Sequence, residues 1–364
     1  MGCVQVPDLF SDYRLKDVTL RNRIVMSPMC QYSAIDGAPT DWHLVHLGAR
    51  AAGGVGLVFA EATAVSPGGR ITTGDTGLWN DAQAEAFARI ARFVAAQGAV
   101  PGIQLAHAGR KASASRPWEG DAHLEPGAGG WEIMGPSPLA FGGKLPRVPR
   151  EMDAADIATV QRQFADAAGR ALAAGFQCLM LHFAHGYLAQ SFFSPLANRR
   201  TDRYGGSFEN RARFLLETLA AVRAVWPERL PLAVRLGVID YVAGEQPLEE
   251  SIELVRRMRA AGLDLVDLSI GFNSPDVSRV PWGTPGFMGP IAARIGRETG
   301  VPTAASWLIR EPKLADELVR SGQVQLAVVG KGLLDDPHWA YHAARALGHP
   351  APTGLLAGQY GYAL

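Results

Sequence analysis

The chain of 364 residues has few cysteines, no excess of either charge and no long apolar run. None of Cys3, Cys30 and Cys178 forms a pair at the spacing of a metal site or a CxxC motif, so a disulfide scaffold is not expected. The 35 basic and 35 acidic side chains balance, which argues against nucleic acid or a membrane surface as a partner. With no stretch near the ~18 apolar residues of a membrane span, and no signal-peptide pattern, we expect a cytoplasmic protein.

Glycine is abundant and separates short apolar runs from longer amphipathic segments. This alternation is typical of parallel strands joined by helices. Eight such units predict an α/β fold, a single (β/α)8 TIM barrel over residues 1–364, although a doubly wound sheet would alternate in the same way. The predicted strands are residues 24–28, 55–60, 100–105, 178–182, 232–236, 265–269, 302–305 and 326–329. The predicted helices are residues 41–52, 81–97, 153–174, 208–225, 248–261, 290–299, 311–321 and 337–347, with Asp81 and Asp153 as N-caps.

Two long segments, residues 108–150 and 184–207, depart from this regular pattern. In a barrel the reacting groups come from the C-terminal ends of the strands, and long loops there usually carry function. We therefore expect both segments to be extended loops at the C-terminal face.

The predicted strand ends hold neutral and cationic donors and few carboxylates, which suits an anionic planar cofactor that carries a phosphate. Trp307, Gly330 and Lys331 follow strands seven and eight, where barrels often bind phosphate, and Lys331 supplies a positive charge. Arg235 is placed to stabilise negative charge on a reduced flavin ring, and Gln104 to pair with an amide edge of that ring.

Other chemistries remain as alternatives. His182 and His185 are zinc ligands by residue type, but their spacing of three, without an acidic neighbour, is not that of a zincin helix. Schiff-base chemistry needs a lysine at a strand mouth, and only Lys331 is placed there by sequence. A GxGxxG dinucleotide motif is absent after any predicted strand. A metal-dependent TIM-barrel hydrolase is therefore kept as an alternative function.

Several motifs resemble the old yellow enzyme family of FMN-dependent ene-reductases, and within it the thermophilic-like subclass that includes the xenobiotic reductases. The resemblance extends over residues 8–348, the core barrel, and leaves residues 349–364 as a C-terminal tail. The motifs that carry it are SPMCQY at 27–32, EAT at 61–63, QLAHAGR at 104–110, HFAHGY at 182–187, NRRTDRYGGS at 198–207 and NR at 210–211.

The resemblance implies a cofactor site for FMN, with NADPH or NADH as the reductant. By this resemblance, Arg235 of this chain would face N1 and the C2 carbonyl of the flavin, and Lys331 would hold the phosphate. The implied cofactor-binding residues are Ser27, Pro28, Met29, Cys30, Ala62, Gln104, Arg235, Trp307, Gly330 and Lys331.

The resemblance also implies roles in the reduction of activated C=C bonds of α,β-unsaturated carbonyl or nitro compounds. His182 and His185 would donate hydrogen bonds to the substrate oxygen. Tyr187 would protonate the α-carbon after flavin N5 delivers hydride to the β-carbon. Tyr32 would offer a second hydroxyl to the substrate, and Cys30 would tune the flavin as a weak hydrogen-bond donor.

Two departures from the family pattern matter. Relatives commonly place arginine after the strand-eight glycine, whereas this chain has Lys331, which keeps the charge but loses the bidentate fork. Relatives often end with an arginine or tryptophan that reaches a neighbouring subunit, and here only Tyr362 is a candidate for that contact. We expect a homo-oligomer, either a dimer or a tetramer. A flavin-binding redox sensor with Cys30 as its responsive group is a further alternative function.

Overall fold

The computed structural model describes residues 6–364, so Cys3 lies outside the described residues. Its centre is a closed barrel of eight parallel strands, in which each strand pairs with the next along the chain and the eighth pairs with the first. The barrel strands are β1 (Ile24–Met26), β2 (Leu57–Ala64), β3 (Val100–Ala106), β4 (Cys178–Phe183), β5 (Leu232–Ile239), β6 (Leu265–Ile270), β7 (Thr303–Ala305) and β8 (Leu326–Val329).

A helix of 8 to 20 residues follows each barrel strand. Two shorter helices, Leu188–Phe193 and Lys331–Asp335, come first after β4 and β8, and the former lies in the segment 184–207 that was expected to be an extended loop. This alternation confirms the predicted TIM barrel, and the doubly wound alternative is wrong because the sheet closes on itself. The helices are α1 (Asp41–Ala52), α2 (Asp81–Ala96), α3 (Ala154–Ala173), α4 (Phe208–Val225), α5 (Leu248–Ala260), α6 (Gly289–Thr299), α7 (Pro312–Arg320) and α8 (Trp339–Ala346).

Helix starts show how side chains set these boundaries. The Asp153 carboxylate accepts the backbone N–H of Asp156 at 2.8 Å, which confirms the predicted N-cap of α3. The prediction for Asp81 is wrong by one residue. The cap of α2 is Asn80, whose side-chain oxygen accepts the N–H of Gln83 at 3.0 Å, so Asp81 becomes the first helical residue.

A short antiparallel hairpin, Tyr13–Leu15 with Val18–Leu20, precedes the barrel and was not predicted. Asp17 donates its backbone N–H to the carbonyl of Arg229 at 3.0 Å, just before β5 begins. The hairpin therefore lies at the N-terminal end of the barrel. Both strands are short and mix polar with apolar residues, so they lack the apolar run that marks the equally short β1.

The segment 108–150 is an ordered loop at the opposite, C-terminal end. The Arg147 guanidinium donates to the carbonyls of Leu124 and Trp131 at 2.7 and 2.8 Å and to the hydroxyl of Ser113 at 3.0 Å. These bonds join distant parts of the loop, so it presents a fixed surface to the site.

The C-terminal tail runs along the N-terminal end of the barrel. Ala357 donates its backbone N–H to the carbonyl of Ala52, at the end of α1, and Tyr362 is 87% exposed. The tail therefore lies away from the site of its own chain, and a contact of Tyr362 with another subunit stays a prediction. Among residues 6–364, the structure has no helix that is both long and apolar enough to cross a membrane.

Candidate active site

The C-terminal end of the barrel opens into a cavity of about 380 Å³. It is formed by the ends of β1, β5, β7 and β8, as expected for a barrel enzyme. Most residues predicted to bind the cofactor meet there, although their roles stay predictions. The lining includes Ser27, Pro28, Met29, His185, Arg235, Trp307, Gly330 and Lys331.

Arg235 crosses the floor of this cavity in a fixed orientation. Its Nε donates to the Asp267 carboxylate at 2.6 Å, and its Nη2 donates to the hydroxyl of Ser27 at 3.1 Å. Nη1 has no hydrogen-bond partner among residues 6–364. A buried guanidinium with an unused donor beside a cavity fits an anionic group such as the reduced flavin ring.

Gln104 and Ala62 lie opposite each other on neighbouring strands. A β-bulge at Glu61 shifts the pairing of β2 with β3 just before Ala62, a device common beside active sites. The buried Gln104 amide bonds only to the sulfur of Met180, at 3.0 Å, among the described residues. An amide with so weak a partner fits a polar ring edge such as the flavin pyrimidine.

The loops after β7 and β8 form the other end of the cavity. Trp307 and Leu308 both adopt left-handed backbone conformations, with φ of 79° and 57°. Arg310, which the sequence analysis missed, lines the same cavity as Lys331. Two cations at this end fit a phosphate.

His182 and His185 stand together beside the cavity. Their ring centroids are 4.8 Å apart and the planes meet at 85°. Burial lowers the pKa of His182 far below its usual value, and Arg235 and Lys111 lower it further. Burial also lowers the pKa of His185, with contributions from His182, Arg235 and Lys111. Both imidazoles are therefore neutral at pH 7, and each carries one N–H to donate.

Tyr187 lies on the other side of this pair, with its ring centroid 5.0 Å from that of His182. It lines a second cavity of about 460 Å³ together with Tyr32, Lys111 and Phe272. Burial raises the pKa of Tyr187 well above 10, with contributions from Cys30 and other groups. The phenol therefore keeps its proton at neutral pH and is able to give it to a substrate.

Lys111 corrects the expectation that only Lys331 lies at a strand mouth. It ends the turn Gly109–Lys111 after β3, and its Nζ donates to the carbonyl of His185 at 2.8 Å. The same Nζ lies 5.1 Å from the Tyr187 ring centroid. Burial lowers the pKa of Lys111 to about 8, with Arg110 contributing. Its place directly after the QLAHAGR motif was a signal in the sequence that pointed to it.

Cys30 is half-buried and lies near the backbone of Ala62 and the Tyr32 side chain. Burial raises its pKa well above 9, and Asp75 and Glu61 raise it further. Cys30 is therefore a thiol rather than a thiolate, which suits a weak hydrogen-bond donor and not a reactive nucleophile.

The surroundings of the two histidines do not resemble a metal site. Within residues 6–364, no three His, Cys, Asp or Glu side chains are grouped as metal ligands would be. Arg235 and Lys111 are close enough to His182 and His185 to lower their pKa values. Cationic neighbours of this kind disfavour a bound metal cation and favour an electron-rich ligand atom.

Comparisons with known proteins give a consistent result. The sequence profile of the NADH:flavin oxidoreductase / NADH oxidase family matches residues 8–349. The NADPH dehydrogenase of Geobacillus thermodenitrificans is 44% identical over 342 residues, which cover 93% of this chain and 94% of that protein. The NADPH dehydrogenase of Listeria monocytogenes serotype 4b is also 44% identical, over 93% of this chain and 95% of that protein.

Solved structures share the fold. Morphinone reductase in complex with tetrahydroNAD is 25% identical, with a TM-score of 0.78 over 94% of this chain and 91% of that one. The old yellow enzyme homologue from Zymomonas mobilis is 24% identical, with a TM-score of 0.78 over 94% of each chain. Both resemble this chain over nearly their whole length.

Proposed function

Because the chain belongs to the NADH:flavin oxidoreductase / NADH oxidase family, we propose that it reduces activated C=C bonds of α,β-unsaturated carbonyl or nitro compounds. The membership confirms the resemblance of its motifs to the old yellow enzymes. It makes the protein a flavin oxidoreductase that acts on small molecules, with FMN as cofactor and NADPH or NADH as reductant. The substrate class, the role of each residue, a cytoplasmic location and a homo-oligomeric state belong to the proposal.

One observation carries the proposal. Two neutral imidazoles, His182 and His185, stand 4.8 Å apart between the cationic cavity and the phenol of Tyr187. Two donors aimed at one oxygen, with a protonated phenol beside them, match the needs of an acceptor whose oxygen gains negative charge while a neighbouring carbon takes a proton.

The residues that would hold FMN are those of the 380 Å³ cavity. Arg235 would meet the electron-rich side of the ring with its free Nη1, and Gln104 would bind its polar edge. Lys331 would hold the phosphate. Bound FMN supplies hydride transfer between the nicotinamide and the acceptor.

The chain's own residues then act on the acceptor. His182 and His185 hold its carbonyl or nitro oxygen by hydrogen bonds and stabilise the charge that develops there. Tyr187 gives its proton to the α-carbon, and its raised pKa keeps the phenol protonated between turnovers. Tyr32 lines the same 460 Å³ cavity and offers a second hydroxyl to the substrate.

The redox-sensor alternative depends on Cys30 being reactive. A responsive cysteine needs thiolate character, and the half-buried Cys30 has a raised pKa instead. This observation favours turnover over sensing.

An anaerobic titration tests the proposal. The purified protein is expected to show a flavin absorption spectrum that NADPH bleaches and that 2-cyclohexenone restores. Bleaching by NADPH without recovery by cyclohexenone or a nitroalkene would contradict the proposed substrate class. A colourless protein that takes up no added FMN would contradict the cofactor as well.

A further inference from the structure

We propose that Ser269 is a positioning residue that fixes the proton of His185 on Nδ1, with Trp307 fixing the hydroxyl of Ser269 in turn. The inference rests on the proposed function, because it assigns the atom by which His185 meets the substrate oxygen. Ser269 had no predicted role, and Trp307 was predicted only to bind the cofactor.

Three side chains from different elements form the chain of hydrogen bonds. The indole Nε1 of Trp307, in the loop after β7, donates to the Ser269 hydroxyl oxygen at 3.0 Å. The same oxygen lies 2.6 Å from Nε2 of His185. Ser269 is fully buried near the end of β6, where the pairing with β5 shifts register after it.

The proton positions follow from donor and acceptor chemistry. An indole N–H only donates, so the Ser269 oxygen accepts from Trp307. The hydroxyl has one proton of its own, and within residues 6–364 it has no acceptor other than Nε2 of His185. Ser269 therefore donates to Nε2. A neutral imidazole that accepts at Nε2 carries its proton on Nδ1.

The assignment of this proton requires a neutral His185 ring, and the groups around the ring keep it neutral. The ionisable groups that lower its pKa are His182, Arg235 and Lys111, and burial is the largest cause. A doubly protonated ring, which would donate at both nitrogens, is thereby disfavoured.

His182 shows the opposite arrangement. Its Nδ1 accepts the backbone N–H of Ala184 at 3.3 Å, which leaves the proton on Nε2. The pair therefore offers two different ring nitrogens, Nε2 of His182 and Nδ1 of His185. The fixed difference lets two nearly perpendicular rings donate toward one oxygen.

The backbone holds His185 where this tautomer is needed. His185 adopts a left-handed conformation with φ of 61°, which is uncommon for a residue with a side chain. The Nζ of Lys111 donates to the carbonyl of His185 at 2.8 Å. The backbone N–H of His185 donates to the carbonyl of Ile270 at 3.2 Å. With the ring position fixed, the tautomer decides whether Nδ1 attracts or repels a substrate oxygen.

The test is a nitrogen-15 NMR measurement of the histidine rings in the FMN-loaded enzyme, compared with Ser269→Ala, Ser269→Thr and Trp307→Phe. We expect His185 to be protonated on Nδ1 in the parent and in Ser269→Thr, which keeps a hydroxyl. In Ser269→Ala we expect the proton to shift toward Nε2, with kcat/KM for cyclohexenone falling about tenfold or more because one donor to the oxygen is lost. Trp307→Phe should give a mixture of the two tautomers.

Ser251→Ala is the matched control, since Ser251 is also fully buried but its hydroxyl has no hydrogen-bond partner in the described part of the chain. It should leave the His185 signals unchanged. Protonation of His185 on Nε2 in the parent, or on Nδ1 in Ser269→Ala, would overturn the inference, and a tautomer unchanged in Trp307→Phe would overturn the role given to Trp307. If Ser269→Ala does not fold, the parent and Trp307→Phe decide. Because the NMR readout needs no turnover, Nδ1 protonation in an enzyme that fails to reduce cyclohexenone would contradict the proposed function alone.

Discussion

Arg235 and Asp267 form a buried ion pair across neighbouring barrel strands, with Nε of the guanidinium 2.6 Å from the carboxylate. They lie at paired positions of β5 and β6, so the barrel register itself brings them together. Asp267 pairs with Nε and Nη2 of the guanidinium, and Nη1 stays available to a ligand in the cavity. The pair therefore aims a positive charge at the place where the flavin ring is expected.

Replacing Asp267 by asparagine should weaken FMN binding and lower stability. The change leaves a buried cation without its partner, which costs about 3–5 kcal/mol of unfolding free energy in comparable pairs. It also releases the constraint on the Arg235 side chain. Flavin fluorescence on dilution should show FMN dissociating about tenfold faster, the effect of losing roughly 1.4 kcal/mol of binding free energy.

Asp264→Asn is the control for that variant. Asp264 also pairs with arginine, Arg223 at 3.2 Å, but it lies before β6 at the other end of the barrel. It should lose stability without losing FMN. Equal FMN dissociation rates in the two variants would contradict the role given to Asp267.

Replacing Tyr187 by phenylalanine should separate the two half-reactions. Oxidation of the reduced enzyme by cyclohexenone should slow about 10²-fold or more, because the general acid is missing. Reduction by NADPH should stay near the parent rate, because that step needs no proton from the phenol. Stopped-flow absorbance measures both, with Tyr341→Phe on α8 as the control. Equal slowing of both half-reactions would show that Tyr187 is structural.

Lys331→Arg should slow FMN dissociation. Arginine offers two parallel donors to a phosphate where lysine offers a point charge, so retention should improve several-fold. The control is Lys313→Arg on α7, whose side chain is 82% exposed and outside the cavity. If FMN dissociates from Lys331→Arg as fast as from the parent, Lys331 does not hold the phosphate.

Stability should fall in mild acid because of His107. Its Nδ1 accepts the N–H of Gly109 at 3.1 Å, and burial lowers its pKa from 6.5 to about 4. Between these values the unfolded chain binds the proton and the folded chain does not. The contribution of His107 to the free energy of unfolding is therefore complete above pH 6.5 and is lost as the pH falls toward 4. The total loss is roughly 3 kcal/mol.

Urea unfolding at pH 7 and pH 5 measures this effect. The His107→Asn variant can keep an acceptor for Gly109 and should lose less stability on acidification than the parent. An unchanged pH dependence in His107→Asn would contradict the assignment.

The sequence predicts the barrel well because its signals are local. Apolar runs mark strands such as Cys178–Phe183, and helix ends fall within two residues of their predicted positions. The HxxHxY motif carries His182, His185 and Tyr187 in one short segment, and their rings are neighbours in the structure. That they act together is what the family resemblance implies. Such features need no knowledge of distant contacts.

The partners that orient these groups could not be predicted in the same way. Ser269 meets His185 and Trp307 only because β6, the loop after β4 and the loop after β7 converge at the barrel mouth. Asp267 reads as an isolated polar residue in an apolar strand until the register places it beside Arg235. Residues that meet in this way are far apart along the chain, so no sequence motif with a fixed spacing contains both partners.

The central claim is that the enzyme reduces a C=C bond with a proton from Tyr187. The most direct measurement is NMR analysis of cyclohexanone formed from 2-cyclohexenone and unlabelled NADPH in D2O, with authentic cyclohexanone incubated alongside to subtract background exchange. We expect one solvent deuterium at the α-carbon, and we expect Tyr187→Phe to form this product about 10²-fold more slowly. Cyclohexanone without α-deuterium above the background, an unchanged rate in Tyr187→Phe, or no cyclohexanone at all would contradict the claim.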